Sequence, residues 1–229
     1  MIYPTSSENP NVKTKQTISN QQVQTNNNKF YLISKRIIDF ILSLLGIIAL
    51  LPFFLIIAII IKVEDRKGPI LFKQIRMGKN GKEFYIYKFR SMVTNAEELK
   101  VKLFDQNEAT GPVFKMKQDP RVTKFGRFIR KTSLDELPQL LNVLKGDMSL
   151  VGPRPPLPEE VAQYSGYELQ RLGVTPGLTC YWQVSGRSNI SFERWVELDL
   201  KYIEERNFFI DIKLIFKTVF VLFGSKDAY

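Results

Sequence analysis

The chain has no histidine at all and a single cysteine, Cys180, among its 229 residues. Without histidine there is no Ser-His-Asp triad, no Cys-His pair and no imidazole metal site. One cysteine permits neither an internal disulfide nor a thiolate zinc site, and it fits a reducing compartment. Catalysis, if present, must come from carboxylates, lysine, tyrosine, hydroxyls or the backbone. A divalent metal would be a hard ion on oxygen ligands. Acidic residues are also the minority: 33 Lys and Arg against 23 Asp and Glu give a formal charge of +10. That balance suits anionic lipid, phosphorylated substrates or nucleic acid.

Polarity divides the chain. Residues 1–33 are rich in Asn, Gln, Thr and Ser and read as a disordered tail, with no basic start and apolar run to make a signal peptide. From Phe40 to Ile61 the sequence FILSLLGIIALLPFFLIIAIII carries no charge. As a helix it reaches about 33 Å, enough to cross a hydrocarbon core. A simple span and a bent helix that enters and leaves by one leaflet both stand at this point, and two features fit the bent form. Pro52 removes a backbone hydrogen bond near the middle. Both flanks are basic, with Lys35 and Arg36 before and Lys62, Arg66 and Lys67 after. We therefore expect a membrane helix over 34–62 and a catalytic domain over 63–229.

Within that domain Gly68 to Met92 reads as two strands joined at Asn80-Gly81, a hairpin turn. Asn95 to Lys102 reads as a short helix and Asp105 to Arg121 as a loop. Thr123 to Leu144 is helical with a break near Ser133, and Ser191 to Glu205 is a further helix with Trp195, Leu198 and Tyr202 on one face. Asp211 to Phe223 is a last apolar helix, too short to span but able to lie in the interface or in a core. The expected fold class is α+β, predominantly α, with one β-hairpin.

The chemistry concentrates in SLDELPQLLNVLKGDMSLVGPRP, Ser133 to Pro155. Asp135 and Glu136 are adjacent carboxylates. Ser133 and Glu136 have capping-box spacing, and Pro138 is tolerated in a first helical turn. Acids in a first turn also offset a helix dipole with no further role. Here, however, the helix start would keep Asp135 ionised, as a carboxylate nucleophile requires, and Glu136 could hold a divalent cation. Arg154 stands between prolines in GPRPP, which presents a guanidinium to a phosphate with little freedom. Lys88 and Arg90 of KFRSM, with Arg127, Arg130 and Lys131 ahead of the acid pair, add positive charge.

Together these segments resemble the bacterial sugar transferase family, the monotopic polyprenyl-phosphate phosphoglycosyl transferases. The likeness runs from Lys35 to the C-terminus through KRIIDF, KFRSM, DPRVTKFGRFIRKTSLDELPQLLNVLKGDMSLVGPRP and TPGLTCYWQVSGR. The resemblance implies a re-entrant membrane helix hairpin, interfacial amphipathic helices and an Asp-Glu dyad working with Mg²⁺ on the cytoplasmic face of a bacterial inner membrane. By it, Asp135 attacks the sugar-linked phosphate of a UDP-sugar and UMP leaves. Undecaprenyl phosphate then takes the sugar phosphate from the enzyme. Glu136 matches the Mg²⁺ ligand, and Lys88, Arg90, Arg130, Arg154 and Arg187 the positions that handle substrate and phosphate. Lys35, Arg36 and Pro52 match the membrane boundary and hairpin apex. The family's usual Ser-Pro apex is Leu51-Pro52 here, so a hydroxyl that could satisfy a freed carbonyl is missing. The segments around Asn107 to Arg121 and Thr175 to Arg187 look like hexose-1-phosphate transferases of capsule and exopolysaccharide assembly, which implies UDP-glucose or UDP-galactose as donor. Membrane lipid is an expected partner, nucleic acid is not, and oligomerisation stays open. The competing readings are a membrane-tethered basic binding module for anionic lipid or nucleic acid, and an ordinary glycosyl transferase that would release UDP.

Overall fold

The computed structural model describes residues 22–108, 111–114, 116–185 and 190–224, with side chains described to residue 220. It is predominantly helical, with two small sheets. The long helix α1 spans Lys29–Glu64 and contains Pro52. It starts where Asn28 accepts hydrogen bonds from the backbone of Phe30 and Tyr31, so it begins upstream of the boundary expected at residue 33. By length and composition it could cross a membrane.

Both ends of α1 pack on the rest of the protein. At the start, Arg36 donates to the carbonyls of Val143 (2.6 Å) and Leu144 (2.8 Å). Asp39 accepts the backbone N–H of Leu150 at 3.0 Å. Lys35 pairs with Asp211 at 2.8 Å, and the Tyr31 hydroxyl donates to the same carboxylate. At the far end, Ile57 and Ile61 pack with Phe89 and Ile129. The stretch between leaves Ile48, Leu51, Phe53, Leu55 and Ile56 more than half exposed.

The hairpin is as expected: β1, Leu71–Met77, pairs antiparallel with β2, Glu83–Phe89, from Leu71↔Phe89 to Met77↔Glu83. Its turn places both Asn80 (φ 56°) and Gly81 (φ 74°) in the left-handed region, which the Asn-Gly pair tolerates. Helix α2, Ala96–Lys102, precedes the loop, and α3, Lys124–Lys131, starts at Thr123, whose side chain accepts from Gly126. A 3₁₀ helix follows at Leu134–Gln139, then α4 at Leu140–Lys145. After strand β3, Ser149–Val151, come the short helices α5, Pro158–Val161, and α6, Gly166–Leu169.

Strand β4, Gly177–Thr179, pairs in parallel with β3, a second sheet where one hairpin was expected. Helix α7 spans Phe192–Glu205 with Ser191 as its cap, and α8 spans Phe208–Gly224, beginning earlier than its apolar run suggests. The main core joins Val151, Val174, Cys180, Val196, Tyr202, Ile203 and Leu214. There the Arg171–Asp199 ion pair, at 2.8 Å, is almost fully enclosed.

Candidate active site

The acid pair does not sit on a capping box. Ser133 adopts a left-handed backbone (φ 57°) and its side chain caps nothing, whereas an N-cap residue has extended geometry. The left-handed turn ends α3 and redirects the chain into the 3₁₀ helix that carries Asp135 and Glu136. Glu136, free of any capping duty, turns to β2: Lys88 Nζ donates to its Oε1 at 2.6 Å.

Asn142, on α4 directly after the 3₁₀ helix, ties that segment to β2. Fully buried, it donates to the Tyr85 carbonyl (2.7 Å) and accepts from the Tyr87 N–H (3.1 Å). Its amide completes two hydrogen bonds on β2, one residue before Lys88. The loop bearing Arg154 is held just as closely. The Pro153 carbonyl accepts from Gly177 N–H, that of Pro155 from Arg76, and that of Pro156 from Met77 N–H. Arg154 therefore projects from a backbone clamped on both sides, beyond the stiffness its prolines supply.

Arg76, Lys88, Glu136, Gln139, Arg154 and Gln183 line one small open cleft. Asp135, buried itself, precedes the cleft-lining Glu136 in the first turn of the 3₁₀ helix. The charges act on one another. Burial and the neighbouring Glu136 push the Asp135 carboxyl up, to about 6, against the pull of Lys88 and Arg130. Burial would also raise Glu136, but Lys88, Arg154 and Arg76 outweigh it and hold that carboxyl well below the usual range. Burial, with Arg154 close by, lowers the Arg76 guanidinium to about 10. Three cations thus face one firmly ionised carboxylate, a surplus that a polyphosphate would neutralise.

Of the residues expected here, Asp135, Glu136, Lys88 and Arg154 come together, with the Arg130 charge acting on Asp135. Arg90 does not join them. Its guanidinium donates to the Asp65 carboxylate at 2.6 Å and to the Asp65 carbonyl, bracing the exit of α1. Arg187 lies outside the described residues. Arg76, Gln139, Gln183 and Asn142 were not singled out in the sequence. Gln139 alone carried a signal, since three residues after Glu136 is one turn of a 3₁₀ helix.

The family model for bacterial sugar transferases matches residues 30–225. This chain belongs to the bacterial sugar transferase family. Among relatives, it is 47% identical to a galactosyl transferase CpsE of Streptococcus agalactiae, over 92% of this chain and 48% of that protein. It is 43% identical to an undecaprenyl-phosphate galactose phosphotransferase of Salmonella typhimurium, over 85% of this chain and 41% of that protein. An exopolysaccharide production protein ExoY of Sinorhizobium fredii is 39% identical, with 86% of this chain and 88% of that protein covered. The chain thus spans about half the length of the first two relatives and most of the third. The acid pair, Lys88 and Arg154 all fall within the region matched to the sugar transferase family.

Proposed function

We propose that this protein transfers a sugar 1-phosphate, from UDP-glucose or UDP-galactose, to undecaprenyl phosphate at the cytoplasmic face of the inner membrane, as the first membrane step of surface polysaccharide synthesis. The observation that carries the reading is the adjacent pair of a buried Asp135 and a half-buried Glu136 at a cleft where Lys88, Arg76 and Arg154 converge. The names of the relatives, which include a UDP-glucose:undecaprenyl-phosphate glucose-1-phosphate transferase of Klebsiella pneumoniae, support it.

In the first step an Asp135 carboxylate oxygen attacks the phosphorus of the phosphate that is esterified to the sugar. The bond to the bridging diphosphate oxygen breaks, and that oxygen leaves with UMP. A phosphate oxygen of the lipid then attacks the same phosphorus, breaking the acyl phosphate bond and restoring the Asp135 carboxylate. Lys88 and Arg130 oppose the effect of burial and favour the ionised Asp135 that the attack requires. Lys88, Arg154 and Arg76 bind and orient the phosphates and offset charge as it shifts between oxygens.

The donor set fits Mg²⁺. That ion is commonly held by one or two carboxylates together with substrate phosphates and water. Glu136 is kept ionised by its cations, with Asp135 next to it, and among the described residues no larger group of acidic side chains converges. Glu136 would hold the ion, which when bound neutralises phosphate oxygens. For the membrane, both ends of α1 are packed on one body while the middle around Pro52 is apolar and exposed. This supports a helix that dips into one leaflet.

The test is nucleotide release from nanodisc-held protein given Mg²⁺, undecaprenyl phosphate and a panel of UDP-sugars. Wild type should release UMP and Asp135→Ala should not, while still partitioning to membranes. Release of UDP would mean ordinary glycosyl transfer.

A further inference from the structure

We propose that Gln139 and Gln183 form a subsite for the hydroxyl groups of the donor sugar; the assignment rests on the function proposed above. Both side chains line the cleft with Glu136 and Arg154. Gln139 is 3% exposed, and its Nε2 has no hydrogen-bonding partner among the described residues. The buried Oε1 of Gln183 is in the same state, as is the Arg76 Nε on the same wall. Buried polar atoms are normally paired, so unpaired ones gathered on one cleft mark where a ligand completes the bonding.

The chemistry of the two amides selects the ligand. Gln183 Nε2 donates to the Leu178 carbonyl at 3.3 Å, which leaves its buried Oε1 as the unpaired acceptor of a cleft-lining residue. An ionised phosphate has no hydrogen to give it. Gln139 Nε2 is a donor and needs an acceptor. A hydroxyl answers both requirements, and a sugar presents several. Uracil also carries a donor and an acceptor, but position argues against it. Gln139 lies one 3₁₀ turn beyond Glu136 on the same side of the helix, so it adjoins the reacting phosphate. The sugar is bonded to that phosphate, whereas the base is separated from it by a second phosphate and the ribose.

The experiment pairs Gln139→Met and Gln183→Met with donors in which single sugar hydroxyls are replaced by hydrogen. It reads kcat/KM for UMP release with undecaprenyl phosphate, and the affinity for UMP by calorimetry. Wild type should lose about tenfold or more on at least one deoxy donor. Each variant should lose a similar factor on the parent donor but little more on that deoxy donor, with UMP affinity unchanged. The variants are separate tests, and a melting curve shows whether each is folded. Losses that multiply for every deoxy donor, or a fall in UMP affinity matching the fall in kcat/KM, would overturn the subsite. Wild type that releases no UMP from any donor would sink the functional reading and the subsite with it. Normal wild-type turnover without coupling removes the subsite alone.

Discussion

Glu136 shows what a local motif conceals. Its spacing from Ser133 satisfies a capping box, yet the carboxylate bonds Lys88, 48 residues earlier in the chain. The pairing wins because a half-buried carboxylate gains more from an adjacent ammonium than from a neutral backbone N–H. The acid pair, Lys88 and Arg154 were legible because an acid doublet and a proline-flanked arginine are rare enough to notice. Arg76 was not, because an arginine on a short strand reads as solvated surface. Only the fold shows it buried, donating to the carbonyl of Pro155 next to Arg154. The partner of Arg90 was hidden for the complementary reason: Arg90 reads as part of a basic cluster, and Asp65, which it pairs with, lies at the end of a helix with no sequence motif. At Arg154 the planar fork matters as well as the charge. Arg154→Lys should lower kcat/KM for the UDP-sugar about 10- to 100-fold, from ~1.5–3 kcal/mol for a charged hydrogen bond. Wild-type rates in that variant would make Arg154 structural.

Among the elements, the hairpin and the break after α3 were readable because turn residues announce them: Asn80-Gly81 in one case, the Ser133 region ahead of Pro138 in the other. The β3–β4 pair was not. Each strand has three residues, too few for an alternating pattern, and their partnership depends on chain segments that meet only in the fold. Two glycines mark the meeting. A Cβ on Gly177 would lie 2.1 Å from the Gly152 backbone nitrogen, and one on Gly152 would lie 2.6 Å from the Thr175 carbonyl oxygen. Backbone cannot step aside as a side chain can, so the crossing requires glycine. Because Gly152 leads directly into Pro153 and Arg154, displacement there moves the guanidinium. Gly177→Ala should cost about 1–3 kcal/mol by overpacking and lower kcat/KM in the same variant. Thermal melts and steady-state rates would show both; unchanged values would mean the close approach is not needed.

For the molecule as a whole, α1 is long and apolar enough to cross a membrane and is at the same time packed into the folded domain at both ends. Lys35 and Arg36 read in the sequence as the basic flank of the apolar run; the structure bonds them inward, to Asp211 and to the end of α4, and adds Asp39, which accepts from β3. Segments that frame the site are thus tied to the long apolar helix. A one-leaflet dip predicts that both ends of α1 face the cytoplasm. The native thiol will not confuse a labelling test: Cys180 is fully buried, and burial pushes it well above its ordinary pKa. Lys29→Cys and Lys67→Cys, placed separately, should both resist a membrane-impermeant maleimide in intact spheroplasts and both react in inverted vesicles. Labelling of one end from outside would mean a through-membrane span.

The central claim is that Asp135 carries the sugar phosphate covalently between donor and lipid. The most direct measurement is peptide mass spectrometry after incubating the protein with Mg²⁺ and the accepted UDP-sugar, with undecaprenyl phosphate withheld. The account predicts a hexose phosphate on the peptide containing Asp135, lost when undecaprenyl phosphate is added and absent in Asp135→Ala. An enzyme that turns over with the lipid yet never carries that mass, or carries it on another residue, would contradict it.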